Sequence, residues 1–312
     1  NNYSNFLGLL EDCAADLDNM RNASLDKIQN DYNVTRVEGM ELIRSFNILN
    51  SIKATIWQVL FFTILRNKRE LKYKGDVRKF LDMFTKYTFL YFTILNRPGN
   101  WYTTRMIKYS KSIDEYCDRT LSENKNYNSE IGEEWKNLFR DFSSEFEKPS
   151  KDEFAKEFCE KIVYRDKAQA RQTLRYVLGT IEKELGGSFN PENIEIEHIV
   201  PIDSNPYWKL PKKVTKPFVN NIGNLLILTK KNNQKASNFD FNTKMDVYST
   251  STFKLVNSGS DLSFYNNNIT KKWLFDNENP KLLEEQVLKR AAALTDFAYN
   301  IWVDDVYKYM SS

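Results

Sequence analysis

Three short blocks between residues 194 and 238 carry the residue types that could do chemistry. The first, Ile194-Glu195-Ile196-Glu197-His198-Ile199-Val200-Pro201, holds the chain's one histidine. The second is Asn221-Ile222-Gly223-Asn224-Leu225-Leu226-Ile227-Leu228-Thr229, and the third runs from Lys230-Lys231-Asn232-Asn233 to Ser237-Asn238. A single imidazole leaves few routes to acid–base chemistry, because His alone titrates near neutral pH when unperturbed. Neutral His198 can take a proton from water. A carboxylate and an amide oxygen suit a hard cation such as Mg2+ and leave positions open for phosphate oxygens. Glu197 supplies the carboxylate, with Glu195, two residues earlier on the same face, as the alternative. Asn232 and Asn233 compete for the amide. Asn224 would hold the loop or the imidazole in one orientation. Together these groups suit hydrolysis of a phosphodiester.

The elements that must position them are short. Alternating apolar and acidic residues from Ile194 to Glu197 predict a strand with one buried face, ended by Pro201. A second strand carrying Asn224 and a helix opened by the asparagines follow. From Ser204 to Phe239 there is no Asp or Glu, yet Lys209, Lys212, Lys213, Lys216, Lys230, Lys231 and Lys235 fall inside. An acid-free, lysine-rich stretch around the centre suits phosphate binding, hence nucleic acid. Tyr207 and Trp208 lie in the same loop, where an aromatic either anchors to the core or stacks on a base.

These blocks resemble an HNH motif of the ββα-metal (His-Me finger) type, and more narrowly the C-terminal nuclease domain of the GmrSD family of modification-dependent (type IV) restriction enzymes. The resemblance rests on Glu197-His198-Ile199-Val200-Pro201, Ile222-Gly223-Asn224-Leu225, Asn233-Gln234-Lys235-Ala236-Ser237-Asn238, Phe241 and Lys244. Arg175-Tyr176-Val177-Leu178 upstream, and Trp273, Arg290, Leu294 and Ile301-Trp302 downstream, are similar to the flanking helices, so it covers roughly residues 165–305. It selects Asn233 over Asn232. It implies His198 and Asn224 as catalytic residues, Glu197 and Asn233 as metal ligands, Mg2+ or Mn2+ as cofactor, and DNA as substrate. It further implies defence against modified phage DNA, and an amino-terminal nucleotidase or sensor domain outside this chain. No Gly-x-x-x-x-Gly-Lys-Ser/Thr loop and no Asp-Gly-Gln-Gln-Arg block occurs here. A DNA-binding or partner-docking module with an inactive or gated centre is the alternative; the presence of all four residues argues against it.

The rest of the chain reads as scaffold. A mainly α fold is expected: a helical domain over residues 1–165, then a nuclease domain over 166–312. Its ββα core would span about 193–250, and one closing helix would run from Pro280 to Tyr309. Helices are predicted over Tyr3–Met20, Val37–Leu65, Val77–Leu95, Trp101–Leu121, Glu130–Phe146 and Lys167–Leu185. Ser150 and Glu153 have the spacing of a capping box. Phe80, Phe84, Tyr87, Phe89, Tyr91 and Phe92 form an aromatic stripe expected to be core. A basic run, Arg66, Lys68, Arg69, Lys72, Lys74, Arg78 and Lys79, is either a DNA-facing rim or a polar helix face. The net charge of +3 leaves DNA binding to local patches. Cys13, Cys117 and Cys159 are too scattered for a zinc ribbon and fit a reducing cytoplasm. The apolar run Ile56–Leu65 is too short and polar for a membrane span. The opening Asn1-Asn2 has no signal-peptide pattern, and the chain is expected to be part of something longer.

Overall fold

Aromatic residues at helical spacing organise the first of two compact units, residues 1–149 with 302–312; the second is 150–301. The computed structural model describes residues 2–22, 24–52, 55–67, 76–123, 140, 147–188, 193–203, 206–257 and 279–311. Most of the expected helix Glu130–Phe146, Trp273, and Lys68, Arg69, Lys72 and Lys74 of the basic run lie outside the described residues.

The first unit holds α1 (Asn2–Asn22), α2 (Leu25–Tyr32), α3 (Arg36–Ser51), α4 (Trp57–Arg66), α5 (Asp76–Phe89) and α6 (Gly99–Glu123). Thr35 and Glu38 start α3 with reciprocal capping bonds. The helix expected over Val37–Leu65 is broken after Ser51, where Ile52 turns extended (φ −82°, ψ 132°). A continuous helix would separate Phe46 from Trp57 by about 16 Å. The break instead brings their rings to 6.5 Å, with Phe61 5.8 Å from Phe46 and 5.3 Å from Trp57. Phe84 joins them at 5.4 Å from Phe61, so most of the aromatic stripe is core.

The second unit opens with α7 (Lys151–Lys161), whose N-cap Ser150 accepts from the Glu153 N–H at 3.1 Å. Residues 150–165, grouped by sequence with the helical half, lie in this unit. Phe154 packs edge-on against Tyr299 at 5.5 Å and ties α7 to the far end of the unit's chain. α8 (Ala168–Glu184) follows and is terminated by Gly186 at φ 80°. Then come β1 (Ile194–His198), α9 (Lys212–Thr215), a 3-10 turn (Ile222–Asn224), β2 (Leu225–Thr229), α10 (Lys230–Ala236), α11 (Phe241–Ser249) and α12 (Pro280–Tyr299). β1 and β2 pair antiparallel with Ile194 opposite Thr229 and His198 opposite Leu225. β2 is apolar and buried along Leu225–Leu228, because α8 and α10 both pack against it.

The closing helix runs past Tyr309 to Ser311, but not in a single register. A π-turn over Asn300–Asp304 separates α12 from α13 (Asp305–Ser311). The change of register buries Ile301, Trp302 and Val303 in succession, which a regular helical face would not do.

Candidate active site

β1 delivers Glu197 and His198 to its end, and strand alternation sends them to opposite faces. Glu197 is buried, and its Oε1 accepts from Lys244 Nζ at 2.7 Å and from the Tyr248 hydroxyl at 2.9 Å. Oε2 takes neither bond. Lys244 Nζ also donates to the His198 carbonyl at 2.6 Å, clamping the strand end from below. Lys244 and Tyr248 lie one turn apart on α11 and so share a face. Burial pushes the Glu197 carboxyl up, opposed by Lys244 and Tyr248. Burial likewise pushes the Lys244 ammonium down, opposed by Glu197. At 2.7 Å each is the other's counter-charge.

His198 meets a different environment. The Tyr164 ring stands nearly perpendicular to the imidazole, with centroids 4.5 Å apart. Tyr164 is held there because its N–H donates to the Asn220 carbonyl at 2.8 Å, beside the Val163–Asn221 bridge. Burial, then the nearby Lys244 charge, lower the His198 pKa to about 4; the neighbouring Asn220 side chain pulls weakly the other way. Asn220 Oδ1 nonetheless completes no hydrogen bond, and His198 Nε2 is buried with no partner either. Burial therefore keeps the ring neutral at pH 7.

The turn before β2 is built to be rigid. The Asn221 side chain accepts from the Gly223 N–H at 2.8 Å, closing the turn. A Cβ on Gly223 would come within 1.9 Å of the Val287 carbonyl oxygen and 2.9 Å of the Ala291 nitrogen, so glycine lets the turn dock on the α12 backbone. From α12 the fully buried Arg290 donates Nη1 to the carbonyls of Gly223 and Leu225 at 2.8 and 2.9 Å. Asn224, in this turn and not on the strand expected to carry it, is fully buried. Its Oδ1 accepts from Val200 N–H at 2.9 Å, and its Nδ2 donates to the Val200 and Val219 carbonyls at 2.9 and 2.7 Å. Its own carbonyl accepts from Ile199 N–H at 3.0 Å. The Ile199 and Val200 bonds fix the chain leaving His198, the Val219 bond ties in the loop before the turn, and none reaches the imidazole. Of the two groups Asn224 was expected to hold, the loop or the imidazole, its bonds reach the loop.

α10 opens at Lys230 under the Thr229 N-cap, so Asn233 is its fourth residue and not its first. The helix packs on both strands. Asn233 Oδ1 is buried and has no hydrogen-bond partner. Lys209, Lys212, Lys213, Lys216, Lys230, Lys231 and Lys235 are all exposed. Among the described residues only Lys212 of the seven forms an ion pair, with Asp203 at 2.9 Å. Trp208 is anchored in the core, and its Nε1–H donates to the Phe239 carbonyl at 2.7 Å. Glu195, the alternative carboxylate, pairs with Arg175 at 3.0 Å.

Among the described residues no three His, Cys, Asp or Glu side chains gather as a metal-holding group. A divalent cation here would rest on one carboxylate, one amide and oxygens from water or phosphate, which is the set Mg2+ accepts. Asn233 Oδ1 is an unsatisfied buried acceptor, and Glu197 presents an oxygen that neither Lys244 nor Tyr248 occupies. By chemical type these two donors suit such a cation. Tyr164, Asn220 and Tyr248 went unmarked in the sequence. Only the one-turn spacing of Lys244 and Tyr248 could have signalled a shared polar face.

These elements fall inside residues 148–294, which match the family model of the C-terminal domain of GmrSD restriction endonucleases. No curated protein and no solved structure matches the chain.

Proposed function

We propose, from the match of residues 148–294 to the C-terminal domain of GmrSD restriction endonucleases, that this protein is a metal-dependent DNA endonuclease whose centre is Glu197, His198 and Asn233. The observation that carries the reading is the neutral imidazole of His198, its Nε2 buried and without a hydrogen-bond partner. In that role Nε2 takes a proton from the attacking water while the water oxygen bonds to phosphorus and the bond to the leaving ester oxygen breaks. The leaving oxygen is protonated from solvent. The proton on the other ring nitrogen keeps His198 in the accepting tautomer. Asn224 and Lys244 keep the strand end from moving during this exchange, through Val200, Ile199 and the His198 carbonyl. Glu197 and Asn233 would hold Mg2+ or Mn2+, which supplies charge neutralisation at the phosphate and a lowered pKa for bound water. The exposed lysines from Lys209 to Lys235 bind phosphates on either side of the cut.

One centre of this kind cuts one strand, so a nick is the expected product. The test is relaxation of supercoiled plasmid with Mg2+ or Mn2+, wild type beside His198→Ala, with chelated controls. The expected result is nicking by wild type alone, with a loss in His198→Ala of at least about 100-fold and unchanged DNA binding. Nicking by His198→Ala at the wild-type rate would remove the assignment.

A further inference from the structure

Asn220 stands beside His198, and the hydrolytic step described above makes no use of it. Its backbone has a structural part. The Asn220 carbonyl accepts from the Tyr164 N–H at 2.8 Å, next to the Val163–Asn221 bridge. That bond holds Tyr164, whose ring stands nearly perpendicular to the imidazole with centroids 4.5 Å apart. The Asn220 side chain has no such part. It neighbours the imidazole, yet its Oδ1 is buried and completes no hydrogen bond with any described residue. The asparagines that follow differ. Asn221 closes the turn through the Gly223 N–H, and Asn224 bonds backbone groups with both ends of its amide. An apolar residue of the same size at position 220 would bury no unmet acceptor. Asparagine there needs a reason other than packing.

The chemistry of water supplies one. His198 Nε2 is also buried and without a partner. In the hydrolytic step Nε2 receives one hydrogen of the attacking water, and the second hydrogen stays on the oxygen. A water away from bulk solvent needs a partner for each hydrogen. With one on Nε2 and the other on Oδ1, the water oxygen turns its lone pairs away from both groups, and one of them can face phosphorus. A water held by Nε2 alone rotates about that bond and is aimed only part of the time. Two other uses of the oxygen fit less well. Glu197 turns to the face of β1 that Lys244 and Tyr248 cover, whereas Asn220 stands with His198, so its oxygen belongs to the imidazole and not to the carboxylate. An Oδ1 that fixed the tautomer of the ring would already accept its N–H, and no such bond is formed.

We propose that Asn220 orients the attacking water, its Oδ1 accepting the hydrogen that His198 does not take. This rests on the reading of the centre as a hydrolytic one. As the water oxygen bonds to phosphorus and the bond to the leaving ester oxygen breaks, one proton passes to Nε2. The second remains on the new phosphate oxygen, still donated to Oδ1, and no proton passes to Asn220.

The test follows nicking of supercoiled plasmid by the full chain with Mg2+ over a range of DNA concentrations. Asn220→Leu keeps the volume and removes the oxygen. Its kcat is expected to fall roughly 10- to 100-fold, the scale on which a misplaced reactant costs rate, with KM unchanged and a melting temperature no lower than wild type. Asn220→Asp keeps an oxygen in the same place and is expected to recover most of kcat, which neither a packing role nor a role for the Nδ2 donor would give. Asn220→Asp no faster than Asn220→Leu overturns the proposal. His198 is the chain's one histidine, so the 15N spectrum of the imidazole reports its tautomer directly. The same tautomer is expected in wild type and Asn220→Leu. A changed tautomer overturns the proposal in favour of a ring-holding role. A rise of about tenfold or more in the Mn2+ concentration that stabilises Asn220→Leu overturns it in favour of a metal ligand. Nicking by wild type with an equal kcat in Asn220→Leu removes Asn220 and leaves the nuclease. No nicking by wild type with either metal removes the nuclease and the oriented water with it.

Discussion

The turn Ile222–Asn224 and the helix Lys230–Ala236 flank the same strand and treat their asparagines in opposite ways. Asn224 uses its oxygen and both amide hydrogens on backbone partners. Asn233, nine residues on, is left with a buried oxygen that nothing in the protein meets. The same contrast separates the two faces of β1, where Glu197 is held by two donors and His198 Nε2 by none. A buried acceptor without a partner costs about 1–3 kcal/mol, so leaving His198, Asn220 and Asn233 each with one works against stability. Groups whose bonds are complete hold the backbone. Groups left incomplete are available to a cation, a water or a phosphate. Unpartnered buried atoms also occur in the helical unit: Trp57 Nε1 is a lone donor, which no cation would use, and Asn19 Oδ1 is an acceptor on a residue whose amide nitrogen bonds Asp31 and Tyr32.

The sharpest way to break the comparison is Gly223→Ala. The added carbon would meet the α12 backbone, which cannot step aside as a flexible side chain would. A loss of about 4 kcal/mol or more is expected, read by urea unfolding followed in the second unit. A midpoint close to wild type would mean that the turn does not dock on α12.

Next come the asparagines themselves. Asn224→Ala leaves three buried backbone groups without partners, at about 1–3 kcal/mol each, so stability and nicking should fall together. Asn233→Ala removes an acceptor that has no partner to lose. Nicking should disappear while the unfolding midpoint stays where it is or rises. If both variants behave alike in the melt, the division between holding and waiting groups is wrong.

Lys244→Met tests the satisfied face of β1. It strands a buried carboxylate, at about 3 kcal/mol. Adding Glu197→Gln to that variant removes the stranded charge and is expected to restore much of the stability. Nicking should stay lost in the double variant. Recovery of nicking there would show that Glu197 serves only as counter-ion to Lys244.

What the sequence disclosed follows the same line. The three blocks, the alternating strand, most helices and the aromatic stripe were legible because period and spacing are local properties. Asn224 and Asn233 were found and given different roles, but whether Asn224 holds the loop or the imidazole was left open, since that depends on Val200, 24 residues away in the chain. The break after Ser51 was hidden for a related reason: Val37 to Leu65 has unbroken helical periodicity, and only the packing of Trp57 on Phe46 requires the chain to turn. Tyr164 and Asn220 reach His198 through one backbone bond and one bridge, and neither leaves a pattern in the residues around it. The Gly223 of the second block had a purely steric reason that needed the helix it touches.

The smallest expected effect separates two meanings of the satisfied carboxylate. Tyr248→Phe deletes one hydroxyl from Glu197 and leaves Lys244 in place, for a stability loss of about 1.5 kcal/mol. If Glu197 only anchors α11 to β1, nothing else should change, and Mn2+ should raise the melting temperature of variant and wild type over the same concentration range. If Glu197 holds the metal through the oxygen that Lys244 and Tyr248 leave open, the deleted hydroxyl loosens a ligand's orientation. The Mn2+ concentration for half-maximal thermal stabilisation should then rise roughly tenfold, the usual result of removing a hydrogen bond that orients a metal ligand. Identical Mn2+ dependence in the two proteins would assign Glu197 to the scaffold and leave Asn233 as the protein's own contribution to the metal.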